Sequence, residues 1–256
     1  MTVSSNTRVI TGSILALALS VFAGVGCETT GVAGSLNIKD LDDKLVALYQ
    51  EKLAATGDAR ADANRKLADV AKLAAGQGDA ATANPSSAAS FYRIAATAAW
   101  AAGPPQNTNV PDLSDKGAGA CARLPNGDAS QPRDCLVLKM APNLALLDEK
   151  AEDVRKLRDA AATIPSNSFD AATSLSEDVS TQIRKVVDAR TAAGPQSESF
   201  DQYLHTNLNG QFCMLQGMLG RFALSSPPEP LLERVRAAVR DGRAALTTAR
   251  MSTTCN

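Results

Sequence analysis

Aromatic residues and histidine are scarce in this chain, and both shortages limit what it can be. Aromatics make up 4% of the 256 residues, and the one histidine is His205. A zinc site takes three or four His, Cys or carboxylate ligands, so a lone histidine between Leu204 and Leu208 predicts a helix-surface or partly buried polar residue. We therefore expect no metal site and no cofactor.

Signatures of common catalytic and nucleotide-binding sites are also missing. The sequence has no Gly-x-Ser-x-Gly, no His-Glu-x-x-His, no phosphate-binding glycine-rich loop and no dinucleotide fingerprint. One acidic cluster alternates with basic residues, which is typical of a solvated helix face rather than of an acid–base pair. Its members are Asp148, Glu149, Lys150, Glu152, Asp153, Arg155 and Lys156. These observations predict a protein that is not an enzyme.

Residues 1–26 have the layout of a secretory signal peptide. They contain one basic residue, Arg8, and no acidic residue, and an apolar run extends from Ile14 to Val25. A membrane span needs about 20 apolar residues, whereas this run is shorter and is interrupted by Ser20 and Gly24. The pattern favours a cleaved leader over the alternative, a retained transmembrane helix.

The apolar run ends in Gly24-Val25-Gly26-Cys27, which resembles the lipobox of bacterial lipoproteins. The resemblance covers the leader alone, and Gly24 stands where that family usually has leucine. It implies cleavage before Cys27 and acylation of the cysteine thiol and of the new N-terminus. Because Glu28 rather than aspartate follows the cysteine, the resemblance also implies the outer membrane, facing the periplasm. The alternative is an ordinary cleaved signal that leaves Cys27 as a thiol.

The cysteine count agrees with lipid attachment. Five cysteines in an exported protein leave one without a partner. If Cys27 carries lipid, an even four remain, and they allow three pairings. We favour two disulfides, Cys121–Cys135 and Cys213–Cys255. At 1.5 Å per helical residue, the second bond requires the last helix to fray near Arg250 and the tail to fold back.

Charge and composition set the broad class. Without Arg8 the mature region has 25 basic (26 − 1) against 27 acidic residues, a net charge of −2. This near balance argues against a nucleic-acid partner. Alanine is abundant and alternating β-branched runs are absent, which favours helix. We predict an all-α antiparallel bundle of about seven helices, four of them long and in the C-terminal half.

Helix start and stop signals divide the mature chain. A flexible tether is predicted for 27–36, N-terminal helices for 37–102, a long loop bearing Cys121 and Cys135 for 103–134, and a bundle for 135–256 that packs as one domain with 37–102. The first helix is predicted to begin at Asn37 and end at Gly57, the second to end at Gly76, and the third to run from Asn84-Pro85 to Gly103. Residues 91–102 resemble a helix of tetratricopeptide-type solenoids, but no 34-residue repeat accompanies them.

Four long helical patterns follow in the C-terminal half. The first runs from Leu136 to about Ala162, and the second ends at Gly194-Pro195. The third begins with a cap at Ser199, and the fourth begins at Pro230. Short connections between them predict an up-down-up-down bundle with antiparallel neighbours.

Two features suggest binding. Four arginines lie on one face of the last helix: Arg236, Arg240, Arg243 and Arg250. They could bind an anionic partner, or they could form a solvated face that pairs with acidic residues of the chain. Met214 and Met218, beside helical glycines, could line a groove or could belong to the core.

We therefore expect a lipid-anchored envelope protein. Its role would be that of a non-catalytic helical adaptor, assembly or structural protein, with another envelope protein as its partner. The alternative is a small-ligand-binding protein or enzyme of the envelope with a pocket between helices.

Overall fold

The computed structural model describes residues 37–125 and 131–255. The signal peptide predicted for 1–26, the lipid site at Cys27 and the tether predicted for 27–36 lie outside these residues. Within them the chain forms eight α-helices and no strand, so the predicted all-α class is confirmed. The helices are α1 Ile38–Ala54, α2 Gly57–Ala80, α3 Pro85–Ala102, α4 Val110–Cys121, α5 Gln131–Asp159, α6 Phe169–Ala193, α7 Glu198–Leu224 and α8 Glu229–Thr248. No helix of the described ranges combines the length and apolar character that a membrane crossing requires.

Local capping signals account for several helix boundaries. The Asn37 side chain accepts a hydrogen bond from the Asp40 N–H at 2.8 Å, and Asn84 accepts one from the Ser87 N–H at 3.1 Å. These contacts satisfy backbone N–H groups that an α-helix leaves without internal partners. Helix α3 ends at Ala102 and is capped by Gly103, whose φ of 78° suits glycine. Both predicted N-caps and this predicted end are confirmed.

Two other predicted boundaries are wrong. Helix α2 continues past Gly76 to Ala80. A Cβ on Gly78 would lie 2.9 Å from the Tyr92 ring, so this glycine serves close packing of α2 on α3. Helix α7 is capped by Ser197, whose hydroxyl accepts from the Phe200 N–H, and not by Ser199, which is buried.

The prediction of a loop for 103–134 is also wrong for much of that range. It contains a 3-10 turn, Gln106–Asn109, and all of α4, and α5 begins at Gln131 rather than Leu136. The buried side of α4 is built from Val110 and the small residues Ser114, Gly117 and Ala120, so it lacks the large apolar side chains that mark a core-facing helix in a sequence. A Cβ on Gly117 would lie 2.6 Å from Leu138, so α4 packs closely against α5.

The last four helices form the predicted up-down-up-down arrangement, but the neighbours are not all antiparallel. Helices that follow each other are joined by short connections and reverse direction. Arg234 pairs with Glu177 and Arg184 with Asp241. Because both helices advance by seven residues between these contacts, α6 and α8 lie side by side in parallel.

One continuous apolar core includes residues from both halves of the chain. Its N-terminal part centres on an aromatic cluster in which the Tyr203 ring lies 5.1 Å from Tyr49 and 5.2 Å from Trp100. Phe200 packs edge-on against both Tyr49 and Trp100. The first half of α7 thus packs on α1 and α3.

The predicted disulfide pairing is confirmed. Cys121 is bonded to Cys135, and Cys213 to Cys255. Helix α8 ends as that second bond requires. Arg250 adopts a φ of 57°, and the Met251 N–H donates to the Leu246 carbonyl at 2.9 Å. This is a Schellman end, and it turns the tail back toward α7.

We expect both disulfides to stabilise the fold through the loops that they close. The bonded cysteines are 14 and 42 residues apart, for which loop-closure entropy gives about 3 and about 4 kcal/mol respectively. Replacing both cysteines of a pair by serine should lower the free energy of urea unfolding by about these amounts. Unchanged unfolding midpoints, or non-reducing peptide maps that join Cys121 to Cys213, would contradict this assignment.

Candidate functional site

The arginine stripe of α8 is partly neutralised by its own helix. Arg236 pairs with Glu229 at 2.8 Å and with Glu233 at 3.6 Å, and Arg240 pairs with Glu233 at 2.8 Å. Arg243 lies over the Phe212 ring at 5.7 Å. Arg250 occupies the turn that ends α8. Two of the four arginines are therefore neutralised by glutamates, whereas Arg243 and Arg250 make no ion pair among the described residues.

The acidic cluster on α5 divides into two kinds of residue. Glu152 pairs with Arg155 at 2.6 Å, and Asp153 pairs with Lys156 at 3.3 Å, each three residues apart on a solvated face as predicted. Asp148 does not belong to that face, so the prediction that it lies on the solvated face was wrong. It is turned inward against α3 and α7.

Three side chains donate hydrogen bonds to the Asp148 carboxylate. The Trp100 indole Nε1–H donates at 2.9 Å, the Gln211 amide at 2.7 Å and the Asn207 amide at 3.3 Å. Burial raises the pKa of Asp148, although all three hydrogen bonds act in the opposite direction. Because the two amides turn their N–H groups to Asp148, Asn207 Oδ1 and Gln211 Oε1 are buried without a partner among the described residues.

Lys52 lies close to this network and is also buried, with 7% of its surface exposed. Its ammonium group donates to the carbonyl oxygen of Ala101, which also accepts from the Tyr203 hydroxyl at 3.3 Å. Ala101 is in the last turn of α3, where carbonyls lack helical partners. Burial, with help from the charge of Arg60, lowers the pKa of Lys52 to about 8.

A cleft of about 340 Å³ opens above these residues, between α1, α2 and α7. Lys52 and Leu53 line it from α1, Arg60 from α2, and a strip of α7 that includes Tyr203 and Met214 forms the remaining wall. Met214 is therefore one of the residues that line this cleft. Met218 and Trp100 do not, because both are buried in the core.

A second cleft, of about 320 Å³, contains an arginine flanked by two carboxylates. The Arg93 guanidinium pairs with Asp42 at 2.8 Å and with Asp134 at 2.8 Å. Asp134 also accepts from the Ser90 hydroxyl at 2.5 Å. This cluster joins α1, α3 and α5 and has a structural explanation.

In residues 37–125 and 131–255 no three His, Cys, Asp or Glu side chains are grouped so that they could hold a metal ion. His205 is partly buried on α7, and burial lowers its pKa while the nearby Asp201 opposes that shift. The residues that the sequence did not single out are Lys52 and Arg60. The sequence signal for Lys52 is its position at the apolar edge of α1, and Arg60 has no such signal.

Known proteins supply no analogy for this arrangement. No protein-family model, no curated protein and no solved structure matches the chain. Its function has to be argued from its own residues.

Asp148 and Asp153 provide a matched pair for testing the buried network. We expect Asp148→Ala to lower the free energy of unfolding by about 3 kcal/mol, because it leaves the buried Trp100 indole and two half-buried amides without their acceptor. Asp153→Ala, on the solvated face of the same helix, should change it by no more than about 0.5 kcal/mol. Urea unfolding measures both, and equal effects would place Asp148 on the solvated face after all.

Proposed function

We propose that this protein is an exported lipoprotein of the bacterial cell envelope, anchored through Cys27 and acting as a non-catalytic adaptor, assembly or structural protein. The observation that carries the proposal is the pairing of the other four cysteines. Two disulfides use Cys121, Cys135, Cys213 and Cys255. Cys27 is thus the one cysteine left over, directly after the apolar leader.

The disulfides also support export. Such bonds form and persist in oxidising compartments and are rare in the cytosol. A leftover cysteine in such a compartment needs a separate role, and attachment of lipid supplies one. Several acyl chains give stable anchoring where a single chain is marginal, so modification of Cys27 would suffice to hold the protein at a membrane.

The predicted tether would keep the helical region near that membrane. Residues 27–36 are mostly small and polar, and a flexible chain of that length spans roughly 15–18 Å on average. The first helix begins directly afterwards, at Ile38. Glu28 favours the outer membrane with the helices in the periplasm, where the partner would be another envelope protein rather than nucleic acid.

A second candidate function is small-ligand binding in the envelope. The cleft between α1, α2 and α7 favours it, because Lys52 is a buried cation that faces a pocket. Strongly perturbed ionisable groups in clefts are often functional. This candidate is compatible with the lipid anchor, since the anchor determines where the protein acts and the cleft what it recognises.

The anchor can be tested by labelling cells with a radioactive fatty acid. We expect the wild-type protein to carry label and to fractionate with membranes, because Cys27 is acylated. Cys27→Ser should lose the label and leave the membrane fraction. Cys255→Ser is the matched control: it removes a different cysteine and should keep both the label and the membrane association. An unlabelled wild-type protein, or label that survives in Cys27→Ser, would refute the lipoprotein proposal.

A further inference from the structure

We propose that the cleft between α1, α2 and α7 binds a small organic anion, a carboxylate with a short apolar chain, held between Lys52 and Arg60. This inference does not depend on the lipid anchor. It would hold for the folded region whether or not Cys27 is acylated.

Two cations meet in this cleft without an anion between them. Lys52 and Arg60 both line it, and neither makes an ion pair with any residue in 37–125 or 131–255. Lysine is rarely buried unless it is paired, and a second cation nearby adds repulsion. An anion in the cleft would remove both penalties.

Lys52 has donors to spare. An ammonium group carries three N–H bonds, and one of them is directed at the Ala101 carbonyl. Among the described residues no acceptor takes the other two. The Arg60 guanidinium adds a planar fork of donors that suits a carboxylate.

Asp148 does not serve as the counter-ion. Its two oxygens already accept hydrogen bonds from Trp100, Asn207 and Gln211. Its charge favours protonated Lys52, but burial and the charge of Arg60 outweigh that effect. The cleft therefore keeps a positive character that its floor does not cancel.

Part of the remaining wall is apolar and would take an apolar chain on the anion, beside the polar side chains of α7 that also line the cleft. Leu53 and Met214 line the same cleft, and Gly210 adds a wall position without a side chain. The volume of about 340 Å³ is near the lower limit of ligand sites, which are commonly about 300–1,000 Å³. A small carboxylate with an apolar chain uses these walls, whereas inorganic phosphate would leave them empty.

A purely structural role for Lys52 explains less. Donation to Ala101 would help to close the end of α3, but the Tyr203 hydroxyl already donates to the same carbonyl. That role also leaves Arg60 in the cleft without any explanation. Anion binding accounts for both cations together.

Calorimetric titration of the full chain, purified with its disulfides formed, tests the site with hexanoate as the probe. We expect saturable binding of hexanoate and much weaker binding of inorganic phosphate. Lys52→Met and Arg60→Gln should each weaken hexanoate binding by about tenfold or more, since each removes a charged hydrogen-bond donor. Arg65→Gln is the matched control, because Arg65 is on the same helix but pairs with Asp62. The fluorescence of Trp100, the only tryptophan, should respond in parallel because its indole binds Asp148 beneath the cleft.

The pH dependence separates anion binding from a structural role. Three ionisable groups act on Lys52: Arg60 from α2, Asp148 from α5 and Tyr203, whose ring lies under the ammonium group, from α7. Since the pKa of Lys52 is lowered to about 8, hexanoate affinity should fall as the pH rises through that value and Lys52 loses its proton. In Arg60→Gln this midpoint should move to higher pH, because a neighbouring positive charge is gone.

Three results would each overturn the proposal. One is the absence of saturable binding up to about 10 mM hexanoate, ten times a millimolar dissociation constant. Another is equal affinity for phosphate, and the third is an equal effect of Arg60→Gln and Arg65→Gln. If Lys52→Met does not fold, Arg60→Gln still decides, because Arg60 is an exposed side chain without an ion pair in the described residues.

Discussion

The buried carboxylate of Asp148 is the constraint on which the middle of this fold depends. A charge that leaves water must be matched by donors, and here they come from α3 and α7 while the carboxylate itself belongs to α5. The three helices can therefore approach each other in few ways. Trp100 is held by its ring and by its N–H, so the aromatic cluster around it has a defined orientation. A core of alanine and leucine alone would set these positions less strictly.

The same network explains why a cleft forms where it does. Helix α3 ends at Ala102, and its terminal carbonyls need donors at a place where α1 and α7 converge. Lys52 and Tyr203 supply them at Ala101. A polar cluster of this kind cannot be covered by apolar packing without burying more unmatched groups, so the surface stays open above it. The cleft is thus a consequence of ending a helix inside a helical assembly.

How much the sequence predicts depends on the range of the interaction. The caps at Asn37 and Asn84 are local and were predicted, as was the fold-back near Arg250, which follows from the length of α8. Helix α4 was missed because its buried face is made of small residues such as Gly117, whose role appears only against Leu138. Asp148 was placed on the wrong face, since its burial depends on side chains of α7 about 60 positions away.

The arginine stripe of α8 and the buried Lys52 differ in their electrostatic setting. The arginines of α8 are close together in sequence, but two of them pair with glutamates on the same helix in a solvated setting, where such charges are screened. Lys52 is a single charge held out of water, where an approaching anion would interact with it more strongly. An unpaired cation held out of water is therefore a better candidate for anion recognition than exposed arginines that glutamates neutralise.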